Sequence, residues 1–269
     1  MKNAELTAIL SPLLPLWGIC DFPREMPLFQ WAKRHPLPED ARRVVMAAFP
    51  YLLPEAYYAG RNISRYAVPA DYHAVCGARL EQACQALRKA YPGEEFAHYC
   101  DSSPLPETAL AQRAGLGVVG RHHLLITKDY GTWVFLGAIV TTAPLPTIAH
   151  CELRIANCEA CPAPCEKACP AGVLGARAFD KTQCLSYRSQ RKGELSGETA
   201  ALMRRTHTAW GCDVCQEACL CNRHVKIDPL PEFLEHPVAR ITPQTEIEGR
   251  AYAWRGAAVL ERNIRNLEM

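Results

Sequence analysis

Long apolar runs are missing from this sequence: none approaches the ~18 residues that a membrane-spanning helix needs. The opening stretch, MKNAELTAILSPLLPLWGIC, puts a glutamate and prolines where a secretory signal would be uninterruptedly apolar. A cytoplasmic location without a membrane partner is therefore expected. An excess of charge of one sign is lacking too. Thirty Lys and Arg face twenty-eight Asp and Glu, a net charge of +2, so the global field says nothing about nucleic acid and any such partner needs a local patch. No internal repeat or low-complexity tract stands out, which sets aside solenoids and biased linkers. With 49% hydrophobic residues over 269 positions, the chain can bury one larger core and a small satellite.

Cysteine breaks this ordinary pattern. Fourteen occur, and in a reducing compartment they are better explained by metal or cluster ligation than by disulfides. Four fall within CEACPAPCEKACP, residues 158 to 170. The spacing is Cys158-x2-Cys161-x3-Cys165-x3-Cys169-Pro170, then Cys184, then Cys212-x2-Cys215-x3-Cys219, with Cys221 two further on. In two-cluster bacterial ferredoxins three close cysteines bind one cluster with a distant fourth, and the cysteine before proline serves the other cluster. That arrangement predicts two 4Fe-4S clusters, one on Cys158, Cys161, Cys165 and Cys219, the other on Cys169, Cys184, Cys212 and Cys215. Structural zinc is the rival, since it also takes paired C-x2-C motifs, but here the pairs lie about 50 residues apart and the x3-Cys extensions would have no purpose. The extra residue between Cys161 and Cys165 departs from the ferredoxin run. So does the ending Cys219-Leu220-Cys221, which leaves Cys221 able to replace Cys219. Cys20, Cys76, Cys84 and Cys100 are expected to be plain buried thiols, and Cys151 is also left outside the ligand sets.

From about residue 40 to 145 strand and helix signals alternate. RRVVMAAFPYLLP reads as a buried strand, and ADYHAVCGARLEQACQALRKAYPG as a helix with Cys76, Leu80, Ala83 or Cys84, and Leu87 on its inner face. EFAHYC is a second strand that runs through Asp101 into SSPLPETALAQRAG, a turn and a helix ending at Gly115. HHLLIT, KDYG and TWVFLGAIVTT predict a hairpin. The tail is read as a helix with Ala253, Ala257, Leu260, Ile264 and Leu267 on one face. The expected class is α+β: an α/β domain over residues 1–148, a ferredoxin-like domain over 149–228 and a helical tail over 229–269.

Six motifs follow one another in a fixed order: SRYAVPADYH; Cys100 and Asp101 leading into SSPLPETALAQRAGLGVVGRHHLLI; GTWVFLGAIVTT; the cysteine run; KTQCLSY; and GCDVCQEAC. Together they resemble the epoxyqueuosine reductase family over roughly residues 40 to 225. The resemblance implies an oxidoreductase of queuosine-tRNA synthesis that holds cobalamin between its N-terminal domain and its ferredoxin-like module. Such an enzyme reduces an epoxide on a modified wobble base to the alkene. It implies that Asp101 is the acid that protonates the departing oxygen, and that Tyr66, Asp101, Leu125, Thr127, Leu136 and Ser186 face the cobalamin. It implies no histidine on the cobalt, so His73, His122 and His123 are given no ligand role. Many family members continue into helical repeats, and this chain resembles a short form without them.

Each assignment has a plainer counterpart. Asp101 could cap its turn or the following helix, and a protonated carboxyl at neutral pH would need burial to raise it roughly three units from 3.9. Leu125, Thr127 and Leu136 could be sheet core. The glycines of GLGVVG follow a helix and precede a strand, the reverse of a dinucleotide loop, and predict tight backbone turning. Between Lys181 and Lys226 eight basic residues, among them Arg188, Arg191, Lys192, Arg204 and Arg205, face four acidic ones. They suit tRNA phosphates, or they compensate anionic clusters. An external low-potential electron donor is required, and a monomer is expected. The rival activities are corrinoid and iron-sulfur reduction of another electrophile, as in reductive dehalogenases, and electron transfer or corrinoid activation without catalysis.

Overall fold

The computed structural model of the chain describes residues 3–28, 36–149, 158–175 and 178–269. The chain divides into two compact units, Met1–Pro50 with Tyr72–Ile155, and Tyr51–Asp71 with Ala156–Met269. This differs from the boundaries expected at 148/149 and 228/229. Residues 51–71 group with the cysteine-rich region, and 229–269 is part of that unit instead of a separate tail. Cys151 lies outside the described residues. None of the described helices is long and apolar enough to cross a membrane.

The first unit is built on a four-stranded antiparallel sheet ordered β1-β2-β6-β3, from β1 (Leu16–Asp21), β2 (Arg43–Pro50), β3 (Phe96–Cys100) and β6 (Val134–Thr141). The helices α1 (Asn3–Leu10), α2 (Tyr72–Ala90) and α3 (Glu107–Arg113) pack around it. β2 is almost continuously apolar because both of its faces are covered. Val44, Met46 and Ala48 join Ala138, Val140, Leu110, Ala111 and Leu125 in one core. On the other face Gly137 lets α2 close on the sheet, since a Cβ there would stand 2.7 Å from Leu80 Cδ1. The inner face of α2 holds Cys76, Leu80, Ala83, Cys84 and Leu87, as its spacing predicts.

The expected hairpin forms only at its tip, where Thr127 and Gly131 make an isolated bridge. Its first arm, β5 (Leu125–Ile126), pairs backwards with β4 (Val118–Val119), while its second arm, β6, enters the main sheet. The reason is local: a Cβ at Gly117 would lie 2.3 Å from the Ile126 carbonyl oxygen, so the glycine lets the GLGVVG segment approach β5 instead.

The second unit is made, among its described residues, of short helices and turns: α4 (Pro164–Ala168), α5 (Leu185–Ser189), α6 (Gly197–Thr206), α7 (Val214–Glu217) and α8 (Ala257–Glu268). α4 packs on α7, and α6 on both α5 and α8. Gly256, at φ 80°, starts α8 later than the tail periodicity suggests, so Ala253 falls in a preceding 3-10 turn and Ala257 is exposed. The buried face is Val259, Leu260, Asn263, Ile264 and Asn266. The two asparagines are buried because their amides bond backbone carbonyls of Ser189, Ala209 and Ala200.

Candidate functional site

In the first unit the residues of interest gather where β3 ends. Asp101 follows the strand with a left-handed backbone, φ 61°, and the chain then turns through backbone bonds from Ser102 to Cys100 and from Ser103 to Asp101. Its carboxylate meets His73 Nε2 at 3.2 Å, from the first turn of α2. His73 stacks on Tyr72, and Tyr72 on Phe135, each with ring centres 4.1 Å apart. Cys100 pairs with Gly137 across the sheet, and its Sγ lies 3.8 Å from the Leu136 carbonyl. Asp101, His73, Phe135 and Leu136 therefore share one end of the sheet. α3 starts behind Pro106 with no side-chain cap, so Asp101 is not its N-cap. The Asp101 side chain is 61% exposed. The burial expected to hold its proton is thus not supplied by this unit alone.

Leu125 lies in the α3-side core and Leu136 packs against it half-buried. The buried Thr127 hydroxyl donates to Gly131 and accepts the Tyr130 N–H. Beside them His122 is buried and neutral, its pKa pushed down to about 4 by desolvation and then by His123. Its Nδ1 accepts the Leu124 N–H, and Nε2 has no partner. The sequence reading gave His73 and Glu107 no role. Glu107, the first residue of α3, has its carboxyl held well above the usual range by burial and then by Cys100 and Asp101, against a hydrogen bond from Ser103. An acid closely following an aspartate in the chain was visible, but its burial was not.

The second unit brings the cysteines into two groups. Charge repulsion links Cys184 with Cys169, Cys212 with Cys184 and Cys169, and Cys215 with Cys212, Cys184 and Cys169. A separate set links Cys165 with Cys219, Cys219 with Cys221 and Cys158, and Cys221 with Cys158 and Cys161. Burial raises several of the thiols: Cys212 is pushed up to about 12, Cys219 to about 11, and Cys215 further. Backbone N–H groups already point at several sulfurs, from Val214 to Cys212, from Ser186 and Tyr187 to Cys184, and from Cys221 to Cys219. Clustered sulfurs that repel one another yet receive N–H donors fit a cationic centre, which would make the thiolate the favoured form. Glu81, Cys84 and His98 also bring three ligand atoms within 4.8 Å in the first unit. There Glu81 already accepts Arg88 and Gln85, so that set ties α2 to β3.

Asp213, between Cys212 and Cys215, is buried, with its pKa raised to about 6 by desolvation. It accepts the Arg65 N–H at 2.6 Å and the Arg61 guanidinium at 3.2 Å. Tyr66 accepts Trp210 Nε1 at 2.8 Å and Gln190 at 3.3 Å. A Cβ on Gly211 would collide with Ser64, so that glycine is what admits the 62–66 segment. Ser186 sits half-buried in α5, its carbonyl accepting the Ser189 hydroxyl. The patch residues are partly engaged: Arg188 pairs with Glu198, Arg204 bonds Asn266 and Arg205 bonds the Pro170 carbonyl. Arg191 and Lys192 are exposed.

These features define an α+β protein in which an antiparallel sheet unit carrying an acidic loop accompanies a helical unit with two sets of cysteines. A family model described as epoxyqueuosine reductase QueG, DUF1730, matches residues 33–102. Epoxyqueuosine reductase of Aliivibrio fischeri is 33% identical over 200 residues, covering 71% of this chain and 52% of that protein, and that of Vibrio cholerae is 31% identical over 241 residues, covering 83% and 63%. The fold matches epoxyqueuosine reductase from Streptococcus thermophilus with a TM-score of 0.77 at 22% identity, over 98% of this chain and 80% of that one. It also matches an epoxyqueuosine reductase crystallised with an epoxyqueuosine-modified tRNA-Tyr stem loop, with a TM-score of 0.79 at 21% identity and the same coverage. The chain is similar to epoxyqueuosine reductases in sequence over most of its length and in fold. It spans about half to two thirds of the length of the curated relatives it matches.

Proposed function

We propose that this chain reduces the epoxide of epoxyqueuosine at the wobble position of tRNA. Such a step takes two electrons and two protons and releases the oxygen as water. The observation that carries the reading is the division of the ligand cysteines into two sets, with N–H donors to several of their sulfurs, in a chain whose relatives are epoxyqueuosine reductases. Cys169, Cys184, Cys212 and Cys215 hold one 4Fe-4S cluster; Cys158, Cys161, Cys165 and Cys219 hold the other. Cys219 is preferred to Cys221 because it is buried and faces Cys165 as well as Cys158. Cobalamin is assigned to Tyr66, Leu125, Thr127, Leu136 and Ser186, apolar and hydroxyl groups. When bound, these groups supply low-potential electrons one at a time.

The polypeptide supplies the rest. Asp101 donates the proton to the departing oxygen, and His73 orients its carboxyl. Because Asp101 is exposed by itself, its proton affinity rises only when cofactor and RNA exclude water from it. Trp210 and Gln190 fix the Tyr66 hydroxyl. Exposed Arg191 and Lys192 offer phosphate contacts, and the electrons enter from an external donor.

The test is anaerobic purification with iron, sulfide and cobalamin analysis, followed by turnover of an epoxyqueuosine-containing anticodon stem loop. About eight irons per chain are expected, falling by about half in Cys219→Ser and unchanged in Cys221→Ser. Asp101→Asn should lose about 10²–10⁴-fold in kcat with both cofactors retained. Zinc in place of iron and sulfide, or full turnover by Asp101→Asn, defeats the reading.

A further inference from the structure

Away from the Asp101 loop, α2 and β3 bring a mixed set of donors together. Glu81 and Cys84 stand three residues apart on α2 and so share one face of the helix. His98 is the middle residue of β3, and strand alternation puts it on the same side as Cys100, whose Sγ lies 4.0 Å from the Tyr72 carbonyl at the start of α2. Each of the three offers one ligand atom, and these atoms all lie within 4.8 Å of one another. His98 Nδ1 stands 3.3 Å from Glu81 Oε2. The other carboxylate oxygen, Oε1, is held separately: it accepts Gln85 Nε2 at 3.0 Å and Arg88 at 3.2 Å, and Arg88 is anchored in turn on the Phe96 carbonyl at 2.7 Å. The bonds that tie helix to strand thus orient the carboxylate and leave Oε2 turned to the imidazole. Cys84 is fully buried, while the His98 and Glu81 side chains are 33% and 38% exposed, so the set is open to solvent.

We propose that Glu81, Cys84 and His98 form an exchangeable zinc site in the sheet unit, separate from the cysteine sets of the other unit. The donors select the ion: thiolate and imidazole suit zinc, whereas magnesium and calcium take oxygen ligands. The spacing agrees. Tetrahedral zinc, with bonds of about 2.0–2.1 Å to nitrogen and oxygen and about 2.3 Å to sulfur, holds its ligand atoms about 3.3–3.6 Å apart. The edge from His98 to Glu81 already has that length, and the sulfur has at most about 1.3 Å to close. Three protein ligands leave the fourth position to water, as in zinc sites that exchange ligands. On binding, the Cys84 thiol releases its proton to solvent, and Oε2 gives up its contact with His98 for one with the metal. Gln85 and Arg88 then act as the outer partners that fix the carboxylate. The Arg88 charge opposes the added cation, but its side chain is 43% exposed and water screens it. Zinc here adds a link between the middle of α2 and the strand that ends one residue before Asp101.

Full-length protein, purified anaerobically with its iron, is to be stripped of loosely held metal with a chelator, dialysed against buffered zinc and assayed for both metals by mass spectrometry. The unsubstituted chain should hold about one zinc more than His98→Gln, Glu81→Gln or Cys84→Ser, at equal iron. Gln85→Ala, which removes a partner of the carboxylate but no ligand, should weaken zinc binding about 10–100-fold. X-ray absorption at the zinc edge should show about one sulfur at about 2.3 Å, with nitrogen and oxygen at about 2.0–2.1 Å. Cys84 is a core residue; if Cys84→Ser does not fold, the half-exposed His98 and Glu81 variants decide. Equal zinc in the unsubstituted chain and those two variants overturns the proposal. So does a zinc shell made of four sulfurs, which puts the metal in the cysteine sets. The count is read as a difference between variants, so its outcome is independent of whether the cysteine sets hold iron or the chain reduces the stem loop.

Discussion

At the scale of single residues, the uncharged state of two buried groups has opposite consequences for pH. Glu107 keeps its proton when folded, so its burial costs more as pH rises above the unfolded carboxyl value. His122 is the reverse case. Its folded pKa, about 4, lies below the ordinary 6.5, so the unfolded chain takes up the proton first and stability falls as pH drops from 6.5 toward 4. At pH 5 the penalty amounts to about 2 kcal/mol. His122→Asn keeps an acceptor for the Leu124 N–H and cannot titrate. Unfolding free energies from urea titration at pH 7 and pH 5 should therefore differ for the unsubstituted chain by about 2 kcal/mol more than for the variant, and equal differences would show that His122 is protonated when folded. The residue types were legible in the sequence here; their burial was not. Asp101 could be picked out from its place directly after EFAHYC and from the family resemblance, whereas the His73 contact to Asp101 and the raised proton affinity of Glu107 arise from a stacking column and a loop fold that no local pattern specifies.

At the scale of elements, what could be read ahead was what periodicity controls. α2, β2, β3 and α3 follow from apolar spacing and from Pro and Gly punctuation, and each forms close to where that spacing puts it. The hairpin and the tail helix were misread because glycine there acts through tertiary approach or backbone handedness, neither of which enters a hydrophobic pattern. Gly117 and Gly77 separate the two uses of this residue. Gly117→Ala would drive a Cβ into the Ile126 carbonyl, against rigid backbone, and should cost about 1–3 kcal/mol. Gly77, in the interior of α2, has open space at its Cβ position, so Gly77→Ala should stabilise by about 0.5–1 kcal/mol through helix propensity. Thermal or urea melts of the two variants check both signs. A neutral Gly117→Ala would mean that β4 is free to move away from β5.

At the scale of the whole molecule, the cysteine spacing pointed to two groups of cysteines, but the chain boundary of the unit that carries them could not be read from it. The segment 51–71 lies about a hundred residues ahead of the cysteines and has no composition that marks it as theirs. Its attachment is through backbone and buried polar groups. Ser64 N–H bonds the Trp210 carbonyl at 2.8 Å, Ala209 N–H bonds the Asn62 carbonyl at 2.6 Å, and the Asn62 amide bonds both N–H and C=O of Ile241. Arg61 and the Arg65 N–H are bonded to the buried Asp213 carboxylate. A fragment of residues 149–269 would leave that carboxylate and at least four backbone groups without partners, each costing about 1–3 kcal/mol, a large part of the stability of a domain this size. Such a fragment should not fold or hold iron under anaerobic reconstitution. Residues 51–71 joined by a flexible linker to 156–269 should do both, with a cooperative melt and iron bound at both cysteine sets. A cooperative, iron-loaded 149–269 fragment would show that the cysteine sets assemble without the distant segment, and that Asp213 tolerates the loss of both arginines.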